Sequence, residues 1–151
     1  MKLYALPIRI GIATSSCLII YFLTLSLLGL HTNIFFSLFN TVITGAGIFM
    51  AIKMFRERNR QGFNYGKGFV AGMVAGGVAT FIFTFFFAIY ATELNTEFLE
   101  ELSAAWFKTY QSFETLVFFF VAVMGFATTL VLTLSFMQLF KASNNLKKKT
   151  V

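Results

Sequence analysis

The sequence predicts an all-α membrane protein: a bundle of four transmembrane helices, with an amphipathic outer helix between helices three and four. Two observations carry this prediction. Hydrophobic residues make up 58% of the 151 residues and charged residues only 12%, about half the charged fraction that is usual for a soluble domain. The few charges also leave three long runs free of Lys, Arg, Asp and Glu, which favours the bilayer over water as the solvent.

The first uncharged run lies between Arg9 and Lys53. A spanning helix needs roughly 20 apolar residues, so this run predicts two helices joined by a tight turn. Turn-forming and polar residues cluster at positions 29–33, which places the two spans at about residues 8–30 and 34–55. Pro7 fits the first turn of the first helix, where its missing N–H has no partner to lose.

The other two uncharged runs each predict one further span, at about residues 68–92 and 115–140. A charge at a helix centre costs roughly 2.5–3.5 kcal/mol on insertion, so the absence of charge from these runs is a strong signal. The apolar part of the first span exceeds the roughly 7–15 residues of a cleaved signal segment. We therefore expect all four spans to form a single domain over residues 1–151.

The basic residues predict the orientation of the chain. Eleven of the twelve fall on one side of the spans: Lys2, Arg9, Lys53, Arg56, Arg58, Arg60, Lys67, Lys141, Lys147, Lys148 and Lys149. By the positive-inside rule this side is cytoplasmic, so both termini and the middle loop are expected there. We expect anionic lipid headgroups, and not nucleic acid, to be the partners of the middle-loop cations Lys53, Arg56, Arg58, Arg60 and Lys67.

The opposite side receives residues 93–114, which carry five Glu and one Lys. Apolar residues recur there at three-, four- or seven-residue spacing, which is typical of an amphipathic helix. We expect its interface anchors to be Phe98, Leu102, Trp106 and Tyr110. The favoured interpretation is a helix that lies on the outer leaflet as a lid. The alternative is a docking site for the outer domain of a partner.

Helix three has a small residue at every fourth position from 68 to 92, which is the spacing of a glycine zipper. Lipid gives helices no hydrophobic reason to associate, so close backbone approach through small residues must supply packing energy. The pattern predicts a tight helix contact through Gly68, Gly72, Gly76, Thr80 and Thr84. We expect the neighbouring helix to be in the same chain, with dimerisation as the alternative.

Uncharged polar residues occupy one face of each of the other helices. They are Ser37, Asn40, Thr41 and Thr44 with Gly45 in helix two, Thr14, Cys17, Tyr21 and Thr24 in helix one, and Gly125, Thr128, Thr129 and Thr133 in helix four. We expect these faces to meet and to hydrogen-bond across helices, each link being worth about 0.6–2 kcal/mol. The alternative is a polar cavity that binds a small molecule. Asn40 most needs a partner, because an unpaired amide at membrane depth is costly.

The spans lack the groups that catalysis or ion coupling would need. Hydroxyls and a thiol occur at membrane depth in Ser15, Ser16, Cys17 and Ser26, but the spans contain no base or carboxylate to activate them. A carboxylate or base for a coupling ion is likewise absent. His31, the sole imidazole, lies in the predicted outer turn. The sequence therefore predicts a protein with no catalytic residues, no cofactor and no metal site.

A stretch from residue 48 to residue 98 resembles a known family. The matching residues are Lys53, Phe55, Arg56 and Glu57, then Phe63, Tyr65-Gly66-Lys67-Gly68-Phe69 and Gly72, and finally Asn95 with Phe98-Leu99-Glu100. In these residues the chain resembles a bacterial four-span membrane family known as domain of unknown function 4199. The resemblance implies a bacterial cytoplasmic membrane and the same four-span layout, and it implies no activity. Family members usually have a longer outer segment with an Asn-Pro-Asp-type start, where this chain has Asn95-Thr96-Glu97.

Two hypotheses for function follow. The first is an accessory or scaffold subunit whose helix faces and outer helix contact another membrane protein. The alternative is a small homo-oligomeric transporter or channel that uses the polar faces of helices one, two and four. These differ in one expectation, because only transport requires Asn40 and its polar neighbours for flux.

Overall fold

A computed structural model describes residues 4–29, 34–94 and 113–140 of the chain. Within them lie four long helices: α1 at Ala5–Leu27, α2 at Ile34–Arg58, α3 at Tyr65–Ile89 and α4 at Phe113–Leu139. Each is long and apolar enough to cross a membrane, so the prediction of an all-α protein with four membrane-length helices is confirmed. The predicted outer helix, with its anchors Phe98, Leu102, Trp106 and Tyr110, lies outside the described residues.

The first two helices end a few residues away from the predicted spans. α1 ends at Leu27 rather than at residue 30. Beyond it Gly29 has a φ of +67°, the left-handed conformation that terminates many helices, and its N–H donates to the carbonyl of Ser26 at 3.0 Å. α2 continues past residue 55 to Arg58, because a helix can extend beyond the apolar layer when its long cationic side chains reach water.

α3 begins at Tyr65, before the predicted start at residue 68, because Asn64 caps it. The Asn64 side chain accepts a hydrogen bond from the backbone N–H of Lys67 at 2.9 Å. The prediction from sequence lacks this cap, although an Asn before a helical run is a known start signal. At its other end α3 passes into one π-helical turn over Tyr90–Leu94.

α3 forms the centre of the bundle. It packs against α1, α2 and α4, whereas α4 packs mainly against α3 and less extensively against α2. In the most apolar 18-residue stretch of α4, 6% of the residues are buried. In the corresponding stretch of each of the other three helices, 33% are buried. α4 is therefore the peripheral helix of the described bundle, attached along one stripe.

Candidate functional site

The row of small residues in α3 faces a matching row in α4. The pairs are Gly68 with Met137, Gly72 with Thr133, Gly76 with Thr129, and Thr80 with Gly125. Each step of four residues along α3 is matched by a step of four back along α4, as the pairing of ridges on two antiparallel helices requires. We call these eight residues the α3–α4 seam.

In the seam, side chains of one helix occupy the space that a Cβ would fill on the other. A Cβ on Gly72 would lie 2.6 Å from Cγ2 of Thr133. At the far end the roles are exchanged, because a Cβ on Gly125 of α4 would lie 2.5 Å from Cγ2 of Thr80. Backbone and side chain are thus in direct contact, and this is how transmembrane helices gain van der Waals energy where lipid supplies no hydrophobic drive.

Hydrogen bonds contribute little to the seam. The hydroxyls of Thr80 and Thr129 are 3.5 Å apart, which is a weak interaction at best. The hydroxyl oxygen of Thr133 is buried with no hydrogen-bond partner among the described residues, and the same holds for Thr84 further along α3. The shape of the threonine side chains, more than their polarity, therefore joins α3 to α4.

Two glycines make similar contacts around α1. Gly47 of α2 lies against Thr14 of α1, with no room for a side chain between them. Gly11 of α1 lies against the backbone of α3, where a Cβ would be 2.6 Å from the carbonyl oxygen of Ala75. The sequence does not single out these two contacts, because an isolated close contact has no periodic signal. Together they hold α1 against α2 and α3.

The predicted hydrogen bonds between polar helix faces are largely replaced by bonds within each helix. Thr14, Thr24 and Thr44 each donate to the carbonyl four residues earlier in the same helix, at 2.8 Å. Thr24, Cys17 and Thr41 are exposed on the surface of the bundle. The prediction of hydrogen bonds across helices was wrong for Thr14, Thr24 and Thr44, because a helical Thr can satisfy its hydroxyl on the preceding turn.

The polar face predicted for α2 is divided. Thr44 is buried, Asn40 is half-buried and Thr41 is exposed, while the side chain of Ser37 lies outside the described part of the structure. The Oδ1 oxygen of Asn40 is buried without a hydrogen-bond partner in the described ranges. A buried unpaired acceptor costs roughly 1–3 kcal/mol, so a group that donated a hydrogen bond to Asn40 would stabilise the protein.

The end of the bundle near Tyr90 is built from aromatic rings. The Ser26 hydroxyl of α1 and the Tyr90 phenol are hydrogen-bonded. The Tyr90 ring meets the Phe22 ring edge-on, with 5.0 Å between centroids. Phe22 makes further edge contacts with Phe83, Phe86 and Phe87. These ring contacts add to the Ser26–Tyr90 hydrogen bond, and together they hold α1 against the end of α3.

The charged end of the bundle contains a cleft of about 670 Å³ between the end of α2, the loop that follows it and the end of α4. The charged residues that line it are Lys53, Arg56, Arg60 and Glu57, and the aromatic ones are Phe49, Phe63, Tyr65 and Phe140. The guanidinium carbon of Arg56 lies over the rings of Phe63 and Phe140, 5.9 and 5.6 Å from their centroids. Both distances are in the range of a cation–π interaction. We call this feature the cationic cleft.

The other two cations of the predicted headgroup set lie outside the lining of the cationic cleft. The Lys67 ammonium donates to the carbonyl of Gly62 at 2.8 Å, so this charge helps to close the loop between α2 and α3. Arg58 is exposed on the surface. The spacing of these five cations in the sequence does not show which of them line the cleft. That depends on how the loop after α2 folds back over the helix.

The hydroxyls considered as nucleophiles have hydrogen-bond partners, Ser26 with Tyr90 and the other two within α1. Ser15 and Ser16 both donate to the carbonyl of Ile12, at 2.8 and 3.0 Å. Cys17 is an exposed free thiol. Among the residues that the structure describes, no group of three or more His, Cys, Asp or Glu side chains could hold a metal ion.

Four apolar helices joined by close backbone contacts define a multi-pass α-helical membrane protein. The chain belongs to the family described as "Protein of unknown function (DUF4199)", whose model matches residues 9–141. The predicted resemblance is thus confirmed, and it extends from the stretch at 48–98 to most of the chain. A comparison with curated proteins found no match, and a comparison with solved structures found none either.

Proposed function

We propose that this chain is an accessory or scaffold subunit of a bacterial cytoplasmic membrane and that it binds another membrane protein. The observation that carries the proposal is the peripheral position of α4. The seam holds one stripe of α4, and its other faces expose large apolar side chains, among them Met124, Phe119 and Val131, which are 67%, 64% and 60% exposed.

A helix held along one stripe can pack against a second protein without disturbing the bundle that holds it. Association in the bilayer depends on close packing between helices and on the release of lipid. The α4 surface offers side chains for such packing, while the contacts within the seam stay intact. The partner of this surface is a transmembrane helix of another protein.

The proposed role is non-catalytic. Its support is the sequence of the spans, where no Lys, Arg, Asp or Glu occurs between Arg9 and Lys53 to activate a nucleophile. Both termini lie in the cytoplasm under this proposal, because the excess of Lys and Arg is on their side of the spans. The anionic lipids of the cytoplasmic leaflet are the partners of that charge.

The experiment that tests the proposal is purification of a tagged copy from its native membrane in mild detergent, with mass spectrometry of the co-purified proteins. Met124→Trp and Val131→Trp change the α4 surface, whereas Ile20→Trp changes an equally exposed position of α1 (65% exposed). We expect a stoichiometric second protein that both α4 variants lose and the Ile20 variant keeps, with unchanged thermal unfolding in all three. Recovery of the chain alone, as a defined homo-oligomer, would overturn the proposal.

The buried oxygen of Asn40 favours a second candidate, a small homo-oligomeric transporter or channel. An acceptor without a described partner at membrane depth is a position where a permeating solute could bind. Conductance of the purified protein in a planar bilayer tests this candidate. A conductance that Asn40→Leu abolishes, while thermal unfolding is unchanged, would support transport over the scaffold role. Equal current traces with and without the protein would rule out ion transport.

A further inference from the structure

The cationic cleft combines charge at its mouth with an apolar wall that leads into the span. The rings of Phe49 and Phe140 lie 5.5 Å apart between centroids, and Phe136 continues the same aromatic surface one turn deeper along α4. Lys53, Arg56 and Arg60 add positive charge to the same lining. The cleft therefore has the two kinds of surface that a lipid has, a charged head and an apolar tail.

We propose that the cationic cleft binds the phosphate-bearing headgroup of one anionic phospholipid from the adjoining leaflet. Its volume of about 670 Å³ is within the range of roughly 300–1,000 Å³ that ligand sites occupy. An acyl chain of the same lipid lies along Phe49 and Phe140. This goes beyond general attraction of basic loops to the membrane surface, because it assigns one lipid to one site.

Arg56 is the central residue of the site. Its guanidinium is positioned by the two rings beneath it, and stacking on a ring face leaves the donors at the guanidinium edge available. A planar guanidinium can give two parallel hydrogen bonds to a phosphate. Lys53 lies three residues before Arg56 on the same face of α2. Arg60 follows the end of α2, and it lines the same cleft.

The net charge at the cleft favours an anion. Glu57 supplies one full negative charge against the three cations. The carboxyl-terminal ends of α2 and α4 add partial negative charges of roughly half a unit each, which still leaves an excess of positive charge. The residues that follow, 141–151, carry four Lys and no Asp or Glu, so their side chains do not neutralise the site.

A lipid is a better occupant than a soluble anion because of where the cations stand. Lys53 and Arg56 belong to α2 and follow directly after its uncharged stretch. Long basic side chains at the end of a span reach for the headgroup level. A headgroup phosphate is held at that level by its own acyl chains, whereas a soluble phosphate gains nothing from Phe49 and Phe140.

The test uses the full chain in neutral detergent, with native mass spectrometry during titration with phosphatidylglycerol or phosphatidylcholine. We expect one phosphatidylglycerol per chain, bound in preference to phosphatidylcholine. Lys53→Gln and Arg56→Gln should each weaken this binding by about tenfold, the loss of one charge-assisted hydrogen bond. Arg58→Gln is the matched control, since Arg58 is exposed on the same segment but outside the lining, and it should change binding by less than about twofold.

Three outcomes would overturn the proposal. Equal weakening by Arg58→Gln and Arg56→Gln would show diffuse attraction to the basic segment and no single site. Equal binding of the two lipids would show that the headgroup charge is not recognised. Inorganic phosphate that displaces the lipid at concentrations similar to those of the lipid itself would identify a site for a soluble anion. Lys53, Arg56 and Arg58 are all exposed, so their replacement leaves the fold intact, which thermal unfolding verifies.

Discussion

Thr129 of α4 fills the space over Gly76 of α3 so closely that Gly76 has no room for a Cβ. The next residue along α3 is different, because a Cβ on Gly77 would lie 3.5 Å from Cε1 of Phe126, an ordinary contact. Substitution of Gly76 blocks a helix contact, whereas the same substitution of Gly77 only replaces a glycine. Comparing the two variants therefore separates these two effects.

Gly76→Ala should lower the free energy of unfolding by about 1–3 kcal/mol, because the added methyl forces α3 and α4 apart. Gly72→Leu and Gly76→Leu should lower it further. The measurement is thermal unfolding of the detergent-purified protein. Gly77→Ala is the control and should be neutral or slightly stabilising, since Ala favours a helix over Gly. Equal losses at 76 and 77 would contradict the close contact at Gly76.

Thr129→Ala should restore part of the stability that Gly76→Ala removes. The two atoms that meet the added methyl most closely are Cγ2 and Oγ1 of Thr129, and both are absent from Ala. The double-mutant cycle should show a favourable coupling of about 0.5–3 kcal/mol. Additive losses in the cycle would show that Thr129 does not occupy the space over Gly76.

Thr133→Val should be neutral or should raise the free energy of unfolding by up to about 1 kcal/mol. The shape that contacts Gly72 is kept, while a buried hydroxyl oxygen without a described partner is removed. Thermal unfolding again measures the change. Thr14→Val is a useful comparison, because the Thr14 hydroxyl donates to a carbonyl of its own helix at 2.8 Å. A clear loss at Thr133 would mean that its hydroxyl is satisfied after all.

Tyr90→Phe and Ser26→Ala should show a coupling of about 0.6–1.7 kcal/mol, the range for a hydrogen bond between membrane helices. Phe at position 90 keeps the ring that contacts Phe22, so the cycle isolates the hydroxyl pair. Ser16→Ala is the control, since the Ser16 hydroxyl bonds within α1, and it should show no coupling with Tyr90→Phe.

Arg60→Cys in a Cys17→Ser background tests the proposed orientation. Cys17 is the single cysteine of the chain, so the double variant has one thiol, in the loop that follows α2. An impermeant thiol reagent should label it in inside-out vesicles and not in intact cells. The reverse pattern would place the basic loops outside.

The number and approximate places of the helices could be predicted from the sequence because the bilayer excludes charge. The uncharged runs on either side of Lys53 to Lys67 locate the spans without any knowledge of their packing. The row at Gly68, Gly72 and Gly76 was predictable for the same kind of reason, since only small residues permit close approach in lipid.

The rest depends on contacts that no spacing encodes. Thr14 and Thr44 look like partners for other helices, yet each hydroxyl can turn to its own backbone, and the sequence contains no signal for that choice. The cationic cleft requires Arg56 and Phe140 to meet, although 84 positions separate them in the chain. Their proximity follows from the tertiary packing of α2 and α4.

The order of large and small residues in the α3–α4 seam has a consequence for how the helices align. A repeat of four residues would by itself permit α4 to slide along α3 by about 6 Å, one repeat, and pair again. At one end, however, the pattern is reversed, with Thr80 on α3 and Gly125 on α4. A slide in one direction would set Thr80 against Thr129, two side chains in a space built for one, and a slide in the other would set Gly76 against Gly125 and leave a void. This single inverted pair therefore fixes the alignment of α3 and α4, because the two repetitive helices fit together in only one register.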